Sequence, residues 1–159
     1  MEYRIREIRP GDDAAVEGVI RACLREFGAD HEGTAWADPD LCRFSQIYRG
    51  EDRRYWVAED EAGQIVGGTG IGPLPGVDGV CELQKMYCLP SARGAGLGRR
   101  LMEQALSFAR ERYRRCYLET LENMTGAHAL YERSGFHRID RPLTDTGHFC
   151  CDVIYIKDL

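Results

Sequence analysis

A glycine-rich segment between a predicted strand and a predicted helix constrains this chain more than any other feature. Pro90 ends a strand-like run, Gly94, Gly96 and Gly98 follow it, and a long amphipathic helical pattern begins at once. Backbone N–H groups at the start of a helix lack partners and lie at the positive end of the helix dipole. The segment therefore predicts a phosphate-binding loop, and a plain glycine turn at a helix start is the simpler alternative.

The spacing of the glycines excludes two common phosphate loops. A Walker loop needs Lys-Ser or Lys-Thr after its last glycine, whereas Gly98 is followed by two arginines. A dinucleotide-binding fingerprint needs Gly-x-Gly-x-x-Gly, whereas these glycines alternate with single residues. The pattern that remains is Arg-x-x-Gly-x-Gly, which runs from Arg93 to Gly98.

The stretch from Glu82 to Phe136 resembles the GCN5-related N-acetyltransferase (GNAT) family, whose pyrophosphate loop has this Arg-x-x-Gly-x-Gly spacing. In that family a hydrophobic strand and a proline precede the loop, and a helix with an Asn-x-x-Ala-x-x-Leu-Tyr motif follows and closes on Gly-Phe. The matching positions here are Ala127, Leu130, Tyr131, Gly135 and Phe136. One position departs from the family, because Met124 stands where the asparagine is expected and Asn123 lies one residue earlier.

The resemblance implies the GNAT fold, an α/β (α+β) architecture with helices on both faces of a mixed, mostly antiparallel sheet of six to seven strands. The apolar spacing of the chain fits the element order βααβββαβαββ, although periodicity alone predicts only α/β or α+β. A second helix is predicted to begin at Asp38-Pro39 with Asp38 as its cap, and the last strand is predicted over 148–156. We expect residues 1–159 to form one such domain.

The same resemblance implies acetyl-CoA as the cosubstrate and no metal ion. In the family the pantetheine arm pairs with the end of the strand before the loop, and the loop amides hold the pyrophosphate. The implied contact residues are Met86, Tyr87, Cys88, Arg93, Gly94, Ala95, Gly96, Leu97, Gly98, Arg99 and Asn123. Ordinary strand core is the alternative for Met86, Tyr87 and Cys88, and helix capping is the alternative for Asn123.

Glu82 and Tyr131 are the catalytic residues that the resemblance implies. Strand alternation places Glu82 on the face of Met86, and several family members carry a glutamate base at this position. A free glutamate has a pKa of about 4.3 and an α-amine about 7.7–8.0, so direct proton transfer is uphill by roughly 5 kcal/mol. A catalytic Glu82 must therefore have a raised pKa, act through a water molecule or only attract the ammonium. The alternative is that Glu82 is a solvated carboxylate at the strand edge with no catalytic role. Tyr131 matches the tyrosine that faces the cofactor sulfur, with a core tyrosine as the alternative.

A further set of residues is predicted to face the acceptor amine. The alternatives are an ordinary surface loop for His31 and Trp36 and a surface histidine for His148. The set consists of His31, Trp36, Gln84, Thr120 and His148. His148 with Cys150 and Cys151 is rejected as a metal site, because alternation along a strand would put the two cysteines on opposite faces.

Composition restricts the classes of function that remain. The net charge of −5 argues against nucleic-acid binding, and no apolar run approaches the length of a membrane span. Seven scattered cysteines without a secretion signal predict reduced thiols in a cytoplasmic protein. The predicted function is an acetyl-CoA-dependent N-acetyltransferase that acetylates the amine of a small-molecule metabolite, by preference an amino acid. A protein lysine or N-terminal acetyltransferase and a non-catalytic acyl-CoA sensor stay open, as does formation of a homodimer.

Overall fold

Seven strands form one mixed sheet with helices on both faces. The computed structural model describes residues 2–159. In chain order its elements are β1 Arg4–Glu7, α1 Asp13–Glu26, α2 Phe44–Ile47, β2 Arg54–Glu59, β3 Ile65–Pro73, β4 Val80–Cys88, α3 Leu97–Arg110, β5 Arg115–Thr120, α4 Thr125–Arg133, β6 His137–Ile139 and β7 Val153–Asp158. The strand order across the sheet is β1-β2-β3-β4-β5-β7-β6, and every neighbouring pair is antiparallel except β4 and β5. The predicted fold class and element order are confirmed.

Apolar faces on the helices explain the two layers that cover the sheet. Val16, Ile20 and Leu24 recur at helical spacing along α1 and pack with Phe44 and Tyr55 on one face. The core on the other face combines residues of the sheet with residues of α3 and α4. It includes Trp56, Leu83, Met102, Ala105, Leu106, Tyr131 and Phe136. Within residues 2–159 no helix is both long enough and apolar enough to cross a membrane.

The parallel pair of β4 and β5 opens into a cleft. Parallel pairing begins at Val80 with Arg115 and ends after Glu82 with Tyr117. Beyond that point β4 continues along β3, while β5 continues along β7. The carboxyl ends of the two strands are therefore not bridged by hydrogen bonds, and such a position at the ends of strands is where open α/β sheets bind ligands.

A bulge at Lys85 changes the direction of the side chains along β4. Gln84 pairs with Gly70 and Tyr87 pairs with Gly68, so two residues of β4 face one residue of β3. Lys85 has a φ of 50°, which is a left-handed backbone conformation that costs a lysine about 1–2 kcal/mol. The surrounding strand pairs must therefore hold this residue in place.

The bulge separates residues that strict alternation would put together. Glu82 and Gln84 lie on the side of α1 and α2, where the Gln84 amide contacts Tyr48. Met86 packs on the opposite side, in the apolar cluster that contains Leu97 of α3. The expectation that Glu82 and Met86 share one face is wrong, because the extra residue shifts the period-two pattern.

The predicted helix start at Asp38 is also wrong. The helix in this region, α2, begins only at Phe44 and has no side-chain cap. The Asp38 carboxylate instead accepts hydrogen bonds from Lys85 and His148, which lie far away in the sequence. A carboxylate that is engaged in this way is not available to cap a helix.

The last strand is shorter than predicted. β7 begins at Val153, which pairs with Thr120, the final residue of β5. Because β5 ends there, the chain before Val153 has no strand to pair with and runs as a loop over 140–152. His148 lies in this loop rather than at the start of a strand.

Candidate active site

Two cavities meet where β4 and β5 diverge. The larger, which we call the groove, has a volume of about 520 Å³ and runs along the start of α3 and the side of α4. The smaller, which we call the small cavity, has a volume of about 60 Å³ and lies on the side of α1 and α2. The residues that line both are Met86, Tyr87, Met124 and Tyr131.

Most of the predicted cofactor residues line the groove. They are Met86, Tyr87, Cys88, Arg93, Gly94, Gly96, Leu97, Gly98 and Arg99. Gly96 precedes the first helical residue with a φ of 80°, and no side chain caps α3. A Cβ atom placed on Gly94 or Gly96 would meet nothing within 4 Å, so the loop backbone is open to a ligand. The first N–H groups of α3 therefore form an uncapped site of positive potential at one end of the groove.

The Arg93 side chain is engaged within the protein, although it lines the groove. Its guanidinium makes two contacts with the Glu26 carboxylate, at 2.6 and 2.8 Å, and its Nε donates to the Cys88 carbonyl at 3.0 Å. The hydrogen bond from Arg93 lowers the pKa of Glu26. Arg93 can therefore give a pyrophosphate its full charge only by loosening its pair with Glu26.

Asn123 and Ala95 are not among the residues that line the groove. The Asn123 side-chain amide donates to the Phe27 carbonyl at 2.9 Å, so it neither contacts the groove nor caps α4. Met124 takes its place and lines both cavities. For Asn123 to contact a cofactor its amide would have to leave Phe27, because one residue of displacement turns it toward α1.

A hydrogen-bonded chain of three side chains forms one wall of the small cavity. The Tyr48 hydroxyl donates to the Gln84 side-chain carbonyl at 2.7 Å, and the Gln84 amide donates to Glu82 at 2.8 Å. Burial raises the pKa of Glu82, although the hydrogen bond from Gln84 opposes the shift. Glu82 and Gln84 thus lie together in this wall, and Tyr48 of the segment after α2 joins them.

A second group of charged residues meets at Asp38. The Lys85 ammonium lies 2.6 Å from one oxygen of Asp38, and the Nε2 atom of His148 lies 2.8 Å from the other. Burial pushes the pKa of Asp38 up, but the hydrogen bond from His148 and the charge of Lys85 outweigh burial and lower it. Lys85 and His148 line the small cavity. Sequence reasoning missed Asp38 and Lys85, since neither stands in a motif.

Two loops cover the small cavity, and we call residues 28–43 and 140–152 the roof loops. The Cys150 amide donates to the Gly33 carbonyl at 2.9 Å and joins them directly. The Thr146 hydroxyl donates to Glu119, which also accepts a hydrogen bond of 2.6 Å from Tyr117. Glu119 lines the small cavity and was not predicted.

Three of the five predicted acceptor residues line the small cavity, namely Gln84, Thr120 and His148. The other two, His31 and Trp36, are not among the residues that line it. His31 is exposed and contacts the Glu32 carbonyl through Nδ1. Trp36 packs beneath the guanidinium groups of Arg21 and Arg25, at 4.5 and 5.1 Å from the ring centre. These cation–π contacts hold the indole against α1, away from the cleft.

Tyr131 lies where the two cavities join. Its ring packs against Phe136 and Tyr155, with ring centres 6.1 and 5.7 Å away. Burial raises the pKa of Tyr131, so its hydroxyl stays protonated at neutral pH and is a hydrogen-bond donor. In the described chain, residues 2–159, no group of three or more His, Cys, Asp or Glu side chains is arranged to hold a metal ion.

Known proteins resemble this chain along most of its length. The profile of the Acetyltransferase (GNAT) family matches residues 19–136. The uncharacterised N-acetyltransferase YjgM of Escherichia coli K12 is 44% identical over 158 residues, covering 98% of this chain and 94% of that protein. A solved acetyltransferase of Streptococcus agalactiae 2603 is 27% identical with a TM-score of 0.82, covering 99% of this chain and 98% of the other. The PaiA N-acetyltransferase of Thermoplasma acidophilum, solved with coenzyme A, shares the fold with a TM-score of 0.77 at 16% identity, covering 100% of both chains.

Proposed function

The chain belongs to the acetyltransferase (GNAT) family and is an acetyl-CoA-dependent N-acetyltransferase, and we propose that its acceptor is the amine of a small metabolite, by preference an amino acid. The groove supplies the cofactor side of this proposal. Its uncapped helix start suits the pyrophosphate, and the half-buried end of β4 at Met86, Tyr87 and Cys88, where β5 no longer pairs with the strand, suits the amide-rich pantetheine arm.

The observation that carries the proposed acceptor class is the covered small cavity. Its volume is about 60 Å³, and the roof loops are joined across it by the hydrogen bond from Cys150 to Gly33. A peptide substrate would need an open channel on both sides of its lysine, and the hydrogen bond between the two roof loops opposes such an opening. A small amine needs only a brief separation of the loops.

The charges around the small cavity also favour an amino acid. Glu82 and Glu119 provide carboxylates that attract an ammonium group. Lys85 provides a positive charge, and Asp38 is the one ion-pair partner of its ammonium among residues 2–159. Since an ammonium has three donor hydrogens, Lys85 can also bind the carboxylate of an α-amino acid.

Glu82 and Tyr131 have separate roles in the proposed mechanism. Holding the thioester and the amine together accounts for several kcal/mol of the barrier through proximity. Glu82 attracts the acceptor ammonium, and Tyr131 donates a hydrogen bond to the departing sulfur. Full proton transfer from a free phenol to a thiolate is uphill by roughly 2 kcal/mol. The raised pKa of Tyr131 increases that difference, so the phenol acts as a hydrogen-bond donor.

A thiol-release screen tests the acceptor class. Free amino acids, polyamines, aminoglycosides and lysine peptides are compared with acetyl-CoA at matched concentrations. We expect kcat/KM for the best small α-amino compound to exceed that for every lysine peptide by about tenfold or more, since the joined roof loops exclude a peptide backbone. A lysine peptide with the higher kcat/KM would overturn the proposed acceptor.

A further inference from the structure

The small cavity contains a histidine held by an aspartate, and the mechanism above does not use this pair. The Nε2 atom of His148 lies 2.8 and 3.0 Å from the two oxygens of Asp38. Both side chains are largely covered, with 17% of His148 and 27% of Asp38 exposed. A histidine ring fixed in this way by a carboxylate is the arrangement that orients general bases in other enzyme classes.

The hydrogen bond to Asp38 determines which ring nitrogen is available for chemistry. An ionised carboxylate only accepts hydrogen bonds, so Nε2 of His148 carries the hydrogen. In the neutral ring the lone pair is then on Nδ1, which has no hydrogen-bond partner within residues 2–159. His148 also lines the cavity together with Glu82 and Tyr131. The three side chains thus face one cavity, in which the acceptor amine would bind.

Charged groups from several elements surround His148. Asp38 comes from the roof loop before α2, Lys85 and Glu82 from β4, and Glu119 from β5. Lys85 contacts the same carboxylate as His148, and its charge helps to lower the pKa of Asp38. The Cys151 thiol of the same loop lies nearby, and burial raises its pKa to about 12, so it carries no charge at neutral pH.

We propose that His148, oriented by Asp38, is the general base that removes the proton from the acceptor ammonium. The proposal rests on the proposed function, since it assigns a role at the same site. The ammonium gives one proton to Nδ1, which forms the imidazolium and a neutral amine. The amine lone pair forms the new C–N bond, the C–S bond breaks with its electrons on sulfur, and the second amine proton ends on that sulfur. The imidazolium then returns its proton to water, and Glu82 holds the ammonium before transfer.

Ordinary proton affinities explain why a carboxylate alone is a poor base for this reaction. A free carboxyl group has a pKa of about 4.3, an imidazole about 6.5 and an α-amine about 7.7–8.0. General bases are most effective when their pKa lies near the working pH. A histidine therefore matches an α-amine more closely than a glutamate does.

Two experiments test the proposal. The first removes the His148 ring by substitution, and the second adds free imidazole in its place. His148→Ala is expected to lower kcat/KM by about 100-fold or more and to remove the acid limb of its pH profile. Added imidazole is expected to raise the kcat/KM of this variant at least about tenfold, because it supplies the missing base without a covalent link. His148→Gln keeps a hydrogen-bond donor to Asp38 and serves as a second variant, with the same loss expected. His137→Ala, at an exposed position on β6, is the matched control and is expected to keep the wild-type rate and profile.

Asp38→Asn separates positioning from chemistry. This variant keeps the His148 ring but removes the charge that orients it, so a loss of about 10- to 100-fold with a changed acid limb is expected. Any amine that the wild-type enzyme acetylates serves as the acceptor, so these assays do not depend on the outcome of the acceptor screen. An unchanged acid limb and no imidazole rescue in His148→Ala would overturn the base assignment while the acceptor class stands. Turnover of lysine peptides above small amines would overturn the acceptor class alone.

Discussion

The groove and the small cavity meet at Tyr131 but are built in different ways. The groove is large, and its loop end is formed by glycine backbone within one contiguous stretch, 93–98. The small cavity is nearly nine times smaller in volume, at about 60 against 520 Å³, and is lined by charged side chains that come from distant parts of the chain. A site built from local backbone suits an invariant cofactor, whereas a site built from distant side chains can change with the acceptor.

The largest effect is expected from a variant that disrupts the groove and leaves the small cavity intact. Gly96→Glu is expected to weaken acetyl-CoA binding by at least about 100-fold, because the side chain and its charge occupy the anion site at the start of α3. Isothermal titration calorimetry measures the affinity. Gly63→Glu is the matched control, since Gly63 has a φ of 78° like the 80° of Gly96 and also has open space around its Cβ position. Equal affinity of the two variants would contradict the assignment of the loop.

Tyr131→Phe tests the residue at the junction of the two sites. We expect kcat to fall by roughly 10- to 1000-fold, because the departing sulfur loses its hydrogen-bond donor. The affinity for acetyl-CoA is expected to stay within about twofold, since the ring and its packing remain. Steady-state kinetics and calorimetry measure the two quantities. Tyr113→Phe removes a surface hydroxyl that contacts only the Asp52 carbonyl and is the control. A normal kcat in Tyr131→Phe would exclude the phenol from catalysis.

The smallest effect is expected from a variant that loosens the roof loops and leaves the groove unchanged. In Gly33→Ala the new Cβ would lie 2.7 Å from the Cys150 sulfur at a φ of 90°, which strains the junction of the two loops. The acceptor KM is expected to rise about threefold to tenfold, while acetyl-CoA affinity stays constant. Gly76→Ala, with a φ of 76° and nothing within 4 Å, carries the same backbone strain without the contact. A parallel rise in both variants would show that strain alone, and not the junction, is responsible.

The sequence predicts the groove far better than the small cavity, for a physical reason. Glycines at a helix start and the order of strands and helices follow from local backbone chemistry, which a short stretch of sequence contains. The meeting of Asp38 with Lys85 and His148 depends on tertiary contacts across as many as 110 positions, which no local pattern encodes. Trp36 shows the same limit, since this aromatic residue, predicted to face the acceptor, packs beneath arginines of α1 that no local pattern indicates.

Arg93 and Asn123 make hydrogen bonds within the protein that the motif does not predict. Arg93 has the expected position, but a pairing with Glu26 on α1 was invisible in the sequence. Asn123 lies one residue from the expected position and turns its amide to Phe27. In both cases the partner of the side chain depends on which helix packs nearby, and the motif does not contain that information.

The bulge at Lys85 adds one charged side chain to the small cavity without reversing the faces of its neighbours on β4. Because one supernumerary residue lies between Glu82 and Met86, the two ends of the strand are out of phase by one position. Deletion of that residue would restore simple alternation, with Glu82 and Gln84 still on the side of α1 and Met86 still on the side of α3. It would, however, remove the ammonium that pairs with Asp38, so a strand without the bulge keeps its two faces but loses one charge from the small cavity.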